Sequence, residues 1–201
     1  MKKKHLEMLL QNVPNLINPN PVLEQYITPA SIAADILFNA YQLGDVKDKI
    51  IFDLGCGTGI FAIGSSILGG KQICGFDIDK DCISIAKNYA QKNKFDINFY
   101  VKDVKDIFKK TDTIFMNPPF GAQKGNLNAD RIFIEKGFEI GEVIYSLHLS
   151  KTIDFIEKMI KSLRGTIVFQ KEYIFPIKRQ FDFHKKEILE YKVTLIRIKT
   201  K

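Results

Sequence analysis

The chain has 201 residues, 45% of them hydrophobic, with a formal net charge of +7 and a pI of about 9.2. That size allows one domain with a substantial core, and the charge favours a polyanionic partner. The three cysteines (Cys56, Cys74 and Cys82) form no C-x-x-C pair, which excludes a disulfide scaffold and a zinc knuckle. No signal peptide or bilayer-length apolar run is present, so a cytoplasmic protein without a membrane partner is expected.

In chain order, residues 2–11 read as a short amphipathic helix behind Lys2, Lys3 and Lys4. The Pro- and Asn-rich stretch 12–30 reads as an extended arm. A helix follows over 30–44, with Ile32, Ile36, Leu37 and Ala40 on one face and Gly44 at its end. This arm and helix, residues 1–45, lead into a core over 49–201, the whole read as a single domain. From Lys49 the pattern alternates. Short apolar runs at 49–55, 71–79, 97–103, 112–117 and 142–149 read as strands. Helical patterns at 59–70, 81–93, 130–141 and 151–165 separate all but the third and fourth strands. Two further strands, 165–175 and 192–200, have no helix of ordinary length between them and are expected to pair antiparallel. The fold class is therefore α/β: a seven-stranded, mostly parallel, Rossmann-like sheet with a C-terminal antiparallel hairpin and helices on both faces.

Ligands of such sheets bind outside the carboxyl ends of the strands. The distinctive residues fall there. Asp53-Leu54-Gly55-Cys56-Gly57-Thr58-Gly59 follows the first strand, Asp77 ends the second, Asp103 the third and Asn117 the fourth. The spacing is G-x-G-x-G, not the dinucleotide G-x-G-x-x-G. An acid at 53 would repel a pyrophosphate but can face an ammonium. Asp77 suits a ribose diol, and Asp103 can accept from an adenine amino group. A ligand with an amino-acid end and a nucleoside end fits, and S-adenosyl-L-methionine is such a molecule; no metal is implied.

The fourth strand ends in Asn117-Pro118-Pro119-Phe120. A planar amino group is a poor nucleophile because its lone pair is delocalised. The Asn117 side-chain oxygen and the Pro118 carbonyl can accept its two N–H groups and favour a pyramidal nitrogen. Pro119 holds the turn, and Phe120 offers a stacking face. Cytosine-C5 chemistry would need a cysteine nucleophile here, and none follows Cys82. The loop 121–130 is rich in Gly and Asn, as either a substrate gate or a plain connection.

The set LEQYIT, DLGCGTGIFAIG, GFDID, NPPFG, YSLH and FHKK resembles, in order and spacing, the archaeal and eukaryotic methyltransferase-like family that N6-methylates one adenosine of small-subunit rRNA. The resemblance runs from Leu23 to Lys199. It implies a class I methyltransferase using S-adenosyl-L-methionine, with cofactor contacts at Gln25, Thr28, Gly55, Thr58, Ile60, Asp77, Asp103 and Val104. It implies Asn117 to Phe120 as the catalytic tetrad. The partners implied are rRNA and a small zinc-containing activator protein adding along a sheet edge. Where the family's arm carries Tyr-Pro-Thr, this chain has Tyr26-Ile27-Thr28. From Lys171 to the C-terminus nine Lys/Arg stand against four acids. With the resemblance, that makes Lys178, Arg179, Lys185 and Lys186 candidate phosphate contacts. Two other readings share parts of this pattern. Protein glutamine-N5 methylation uses the same amide-type chemistry, usually with Tyr in the fourth tetrad position and a preceding substrate domain. A non-catalytic RNA-binding assembly factor would not require Asp77 and Asn117.

Overall fold

A computed structural model describes residues 1–17, 19–20, 23–120, 129–178 and 188–200, with backbone alone at 129, 177–178 and 188–189. The strands are β1 (Ile50–Leu54), β2 (Gln72–Asp77), β3 (Asn98–Val101), β4 (Thr111–Met116), β5 (Gly141–Leu149), β6 (Thr166–Lys178) and β7 (Ile188–Lys199). The helices are α1 (Lys3–Leu10), α2 (Ala30–Gln42), α3 (Ile60–Ile67), α4 (Lys80–Lys92), α5 (Ala129–Ile140) and α6 (Ile153–Ser162). No helix among these residues is long and apolar enough to cross a membrane.

The strands form one sheet in the order β3-β2-β1-β4-β5-β7-β6. Strands β1 to β5 run parallel, and β7 lies antiparallel between β5 and β6. The parallel strands are apolar on both faces because both are covered. In β1, Ile51 joins the cluster with α1, α2, α3 and α4, whereas Phe52 and Leu54 join the cluster with α5 and α6. Helix α4 starts where Asp79 accepts from the N–H groups of Asp81 (2.8 Å) and Cys82 (3.4 Å); this N-cap lies beyond β2, whereas the apolar pattern carries the second strand on through Asp79.

The C-terminal hairpin is longer than the apolar pattern predicts. Strand β6 runs three residues past Phe175, through Pro176, and β7 begins four residues before Lys192. Proline is tolerated because β6 is the sheet edge, where its missing N–H breaks no second ladder.

Two polar clusters tie distant segments together. Tyr145 Oη (2.5 Å) and Arg197 Nε (2.8 Å) donate to Asp45 Oδ2, and Arg197 Nη2 donates to Asp45 Oδ1 (3.1 Å). All three residues are buried, joining the turn after α2 to β5 and β7. Near α1, Asp35 on α2 accepts from Lys3 Nζ (2.8 Å), Lys171 Nζ (2.6 Å) and Tyr173 Oη (2.7 Å). Burial alone would raise the Asp35 pKa, but the bonds from Lys171, Lys3 and Tyr173 outweigh it and hold the carboxyl at about 2. A depressed acid pKa stabilises the fold above the unfolded value near 4, and this stability is lost as pH falls through 2. Solvent reaches both lysines, so the expected contribution is only about 1–2 kcal/mol. Urea unfolding should show Asp35→Asn less stable than the parent by about that amount at pH 6, with the gap closed near pH 2. An equal gap at both pH values would exclude the carboxylate as its source.

Candidate active site

The glycine loop after β1 turns sharply, with φ of +67° at Gly55, +53° at Gly57 and +91° at Gly59. At Gly59 any side chain is excluded twice, by that backbone conformation and because a Cβ would lie 2.8 Å from the Phe99 ring. Gly57 has open space where a Cβ would stand, and its N–H donates to Asp77 Oδ2 (2.8 Å). Asp77 Oδ1 accepts from the Asp79 N–H (2.9 Å). Burial pushes the Asp77 carboxyl up, and the amides of Asp79 and Gly57 pull against it. The turn thus fixes the Asp77 carboxylate at the edge of a cavity.

That cavity, of about 920 Å³, lies outside the carboxyl ends of the parallel strands. It gathers most of the predicted residues. Gln25, Thr28, Gly55, Thr58, Ile60, Asp77, Asp103, Val104, Asn117 and Pro119 all line it. Asp103 Oδ1 also accepts from the Lys105 N–H (3.0 Å), which starts the 3-10 turn Val104–Asp106. Pro118 and Phe120 are not part of the cavity lining: Pro118 is buried, and Phe120 is half-buried, stacked on Tyr26 (5.9 Å, 20°) with the Phe175 ring edge-on (6.0 Å).

Asp53 is placed differently from the expectation. It does not line the cavity; it is 1% exposed, and its Oδ2 accepts from the Ala62 N–H (2.9 Å) in the first turn of α3. Burial pushes its carboxyl up to about 7 against the pull of that N–H. The residue ties β1 to α3, and so buried and weak an acid is poorly suited to be a fixed counter-charge for an ammonium. Of the basic candidates, Lys178 ends β6 with only its backbone described, and Arg179, Lys185, Lys186 and His184 lie outside the described residues. His148 is 2% exposed, shares a 2.7 Å hydrogen bond with Ser146 Oγ, and is held neutral by burial, which lowers its pKa to about 3. It is a core residue.

Several cavity residues were not singled out from sequence. Tyr26 lies between the predicted contacts Gln25 and Thr28 and belongs to the arm motif, which assigned it no role of its own. Phe133 on α5 and Phe175 on β6 read as ordinary core positions and reach the cavity only through the fold. Cys56 and Cys82 also line it. Burial raises both thiols, Cys82 to about 12, so neither is poised as a thiolate nucleophile.

The arm closes the cavity over Asn117. Asn117 Nδ2 donates to Thr28 Oγ1 (3.1 Å) and lies 3.5 Å from the Tyr26 carbonyl oxygen. Asn117 Oδ1 is buried and has no hydrogen-bond partner among the described residues. An acceptor left in this state, at the end of a cavity, is suited to receive N–H groups from a bound molecule.

Known proteins resemble this chain over its whole length. An uncharacterized protein of Methanocaldococcus jannaschii is 41% identical over 210 residues, 98% of this chain and 94% of that one. The rRNA N(6)-adenosine-methyltransferase METTL5 of Danio rerio is 34% identical over 204 residues, 98% of each chain. The crystal structure of a proposed RNA methyltransferase from Pyrococcus horikoshii superposes with a TM-score of 0.91 at 34% identity, covering 99% of this chain and 98% of that one. The family model of ribosomal protein L11 methyltransferase matches residues 35–118, from α2 to Pro118. These similarities make the protein a class I, S-adenosyl-L-methionine-dependent methyltransferase. The site fits that cofactor. The turn leaves open backbone at Gly57, just before α3, and Asp77 presents a carboxylate fixed by two amides. With more than 30% identity over nearly all of both chains, the protein belongs to the METTL5-like family of rRNA N6-adenosine methyltransferases.

Proposed function

We propose that this protein N6-methylates an adenosine of small-subunit rRNA, with the target base unstacked into the cavity beside Asn117. One observation carries the reading: the buried Asn117 Oδ1 has no partner among the described residues, while its Nδ2 is engaged by the arm. When bound, the cofactor would supply an electrophilic methyl group on a sulfonium, whose S–CH₃ bond breaks to leave a neutral thioether. Asn117 Oδ1 and the Pro118 carbonyl accept the two N–H groups of the base, so the nitrogen lone pair is freed from the ring as the new N–C bond forms. Water takes the surplus proton. Asp77 would hold the ribose of the cofactor, and Asp103 and Val104 its adenine. Phe120 stacks on the target base, braced by Tyr26 and Phe175. The phosphates of the substrate would meet Lys178, Arg179, Lys185 and Lys186.

The test is transfer of radioactive methyl groups to rRNA prepared from cells lacking the gene. RNase should release the label and protease should not. Label released by protease would instead favour glutamine methylation, and no transfer and no cofactor binding would favour an assembly factor.

The activator protein implied by the resemblance would add along the β3 edge. Tyr100 and Val101 are about half exposed there, with exposed Ile78 and Phe108 also carried on the loops that follow β2 and β3. Edge strands present unpaired backbone groups to a partner strand. Tyr100→Asp is expected to reduce recovery of a small zinc-binding protein with the tagged methyltransferase from its native cells. Recovery equal to the parent's would argue against this edge.

A further inference from the structure

We infer that Thr28 is a positioning residue for the methyl-transfer step, setting the flip of the Asn117 amide. This rests on the reading of Asn117 as the acceptor for the target amino group.

A primary amide has two nearly isosteric orientations, related by a half-turn. Only one points Oδ1 at a bound amino group; the other points N–H at N–H and repels it. Nothing in Asn117-Pro118-Pro119 itself chooses between them. The choice comes from the arm, about 90 residues earlier in the chain. Thr28 Oγ1 accepts from Asn117 Nδ2 at 3.1 Å, and the Tyr26 carbonyl oxygen lies 3.5 Å from the same nitrogen. A carbonyl oxygen can only accept, so Tyr26 draws the NH₂ end towards the arm; the Thr28 hydroxyl, which can donate or accept, takes the acceptor role towards the same nitrogen and makes the shorter of the two bonds. Thr28 is 5% exposed, which removes water as a competitor for the bond. The outcome is a buried Oδ1 aimed away from the arm and left unpartnered among the described residues.

The arm is in turn anchored to the cofactor side. Gln25 Nε2 donates to Asp79 Oδ2 (2.6 Å), and Gln25 Oε1 accepts from the Asn20 N–H (2.6 Å). Asp79 donates its N–H to Asp77 Oδ1 (2.9 Å). A continuous set of bonds therefore joins the Asp77 carboxylate, through four consecutive arm residues, to the Asn117 amide. The same four residues place the Tyr26 ring against Phe120. The arm holds both the acceptor and the stacking residue of the tetrad.

The test compares Thr28→Val, which keeps the shape but cannot accept, with Thr28→Ser, which restores the acceptor. Methyl transfer to rRNA from cells lacking the gene is measured at saturating rRNA and cofactor, and cofactor affinity is measured by calorimetry. Thr28→Val should lower kcat about 10- to 30-fold, with rRNA KM and cofactor Kd within about two-fold of the parent; Thr28→Ser should recover kcat to within about three-fold. An unchanged kcat with a raised cofactor Kd overturns the inference, because Thr28 would then be a cofactor ligand only. A Ser variant as slow as the Val variant, or loss of cofactor affinity along with kcat, also overturns it. Asn117→Ala in the same assay separates the two levels. If that variant keeps full activity, the acceptor reading itself fails. If it is inactive while Thr28→Val is fully active, only the positioning role fails.

Discussion

Asn117→Ala is expected to lower kcat for methyl transfer to rRNA about 100- to 1000-fold, the usual cost of removing one fixed hydrogen-bonding group from a site of developing charge. Affinity for S-adenosyl-L-methionine should stay within about two-fold, because the interaction lost is one made with the reacting nitrogen. Asp77→Ala should behave in the opposite sense. It removes a charged acceptor from the cofactor side of the cavity and should weaken cofactor binding about 10- to 100-fold. Single-turnover transfer and calorimetry on the two variants separate these effects. Asn117→Ala with weakened cofactor binding and unchanged transfer at saturation would place the residue in the cofactor site instead.

The largest expected effect on stability lies in the buried cluster of Asp45, Tyr145 and Arg197. Burial is the main force raising the Tyr145 hydroxyl pKa, followed by its hydrogen bond to Asp45. Arg197→Met removes the only cation bonded to Asp45 among the described residues and leaves a buried carboxylate held by a phenol. A loss of about 3–5 kcal/mol is expected, which lowers Tm by roughly 6–20 °C for a chain of this size. Adding Asp45→Asn to Arg197→Met should recover part of the loss, since the unpaired charge is then gone. Urea unfolding of the two single variants and the double variant measures this. Additive losses in the double variant would show that no charge pair is being broken.

The sheet, its helices on both faces and the C-terminal hairpin were legible because each rests on local pattern. Short apolar runs, helical spacing and the missing helix before β7 are all short-range signals. The hairpin's true length was not legible. Pro176 reads as a strand end until its place on the edge strand is known. The candidate site was legible where chemistry sits at strand ends, as at Gly55, Asp77, Asp103 and Asn117. Asp53 misled because the sequence cannot say which face of β1 a side chain takes; it points under α3 and caps Ala62. Long-range partners were out of reach. Nothing local joins Asp45 to Arg197, 152 residues away, or Thr28 to Asn117, 89 residues away. The second of these pairings gives the Asn-Pro-Pro-Phe row its direction.

The proposed activity gives one adenosine of small-subunit rRNA its N6-methyl group. Mass spectrometry of nucleosides from purified small-subunit rRNA, with and without the gene, tests it most directly. N6-methyladenosine is expected to fall by one residue per subunit when the gene is removed, and to return with the parent gene but not with Asn117→Ala. An unchanged N6-methyladenosine content in the gene's absence would contradict it.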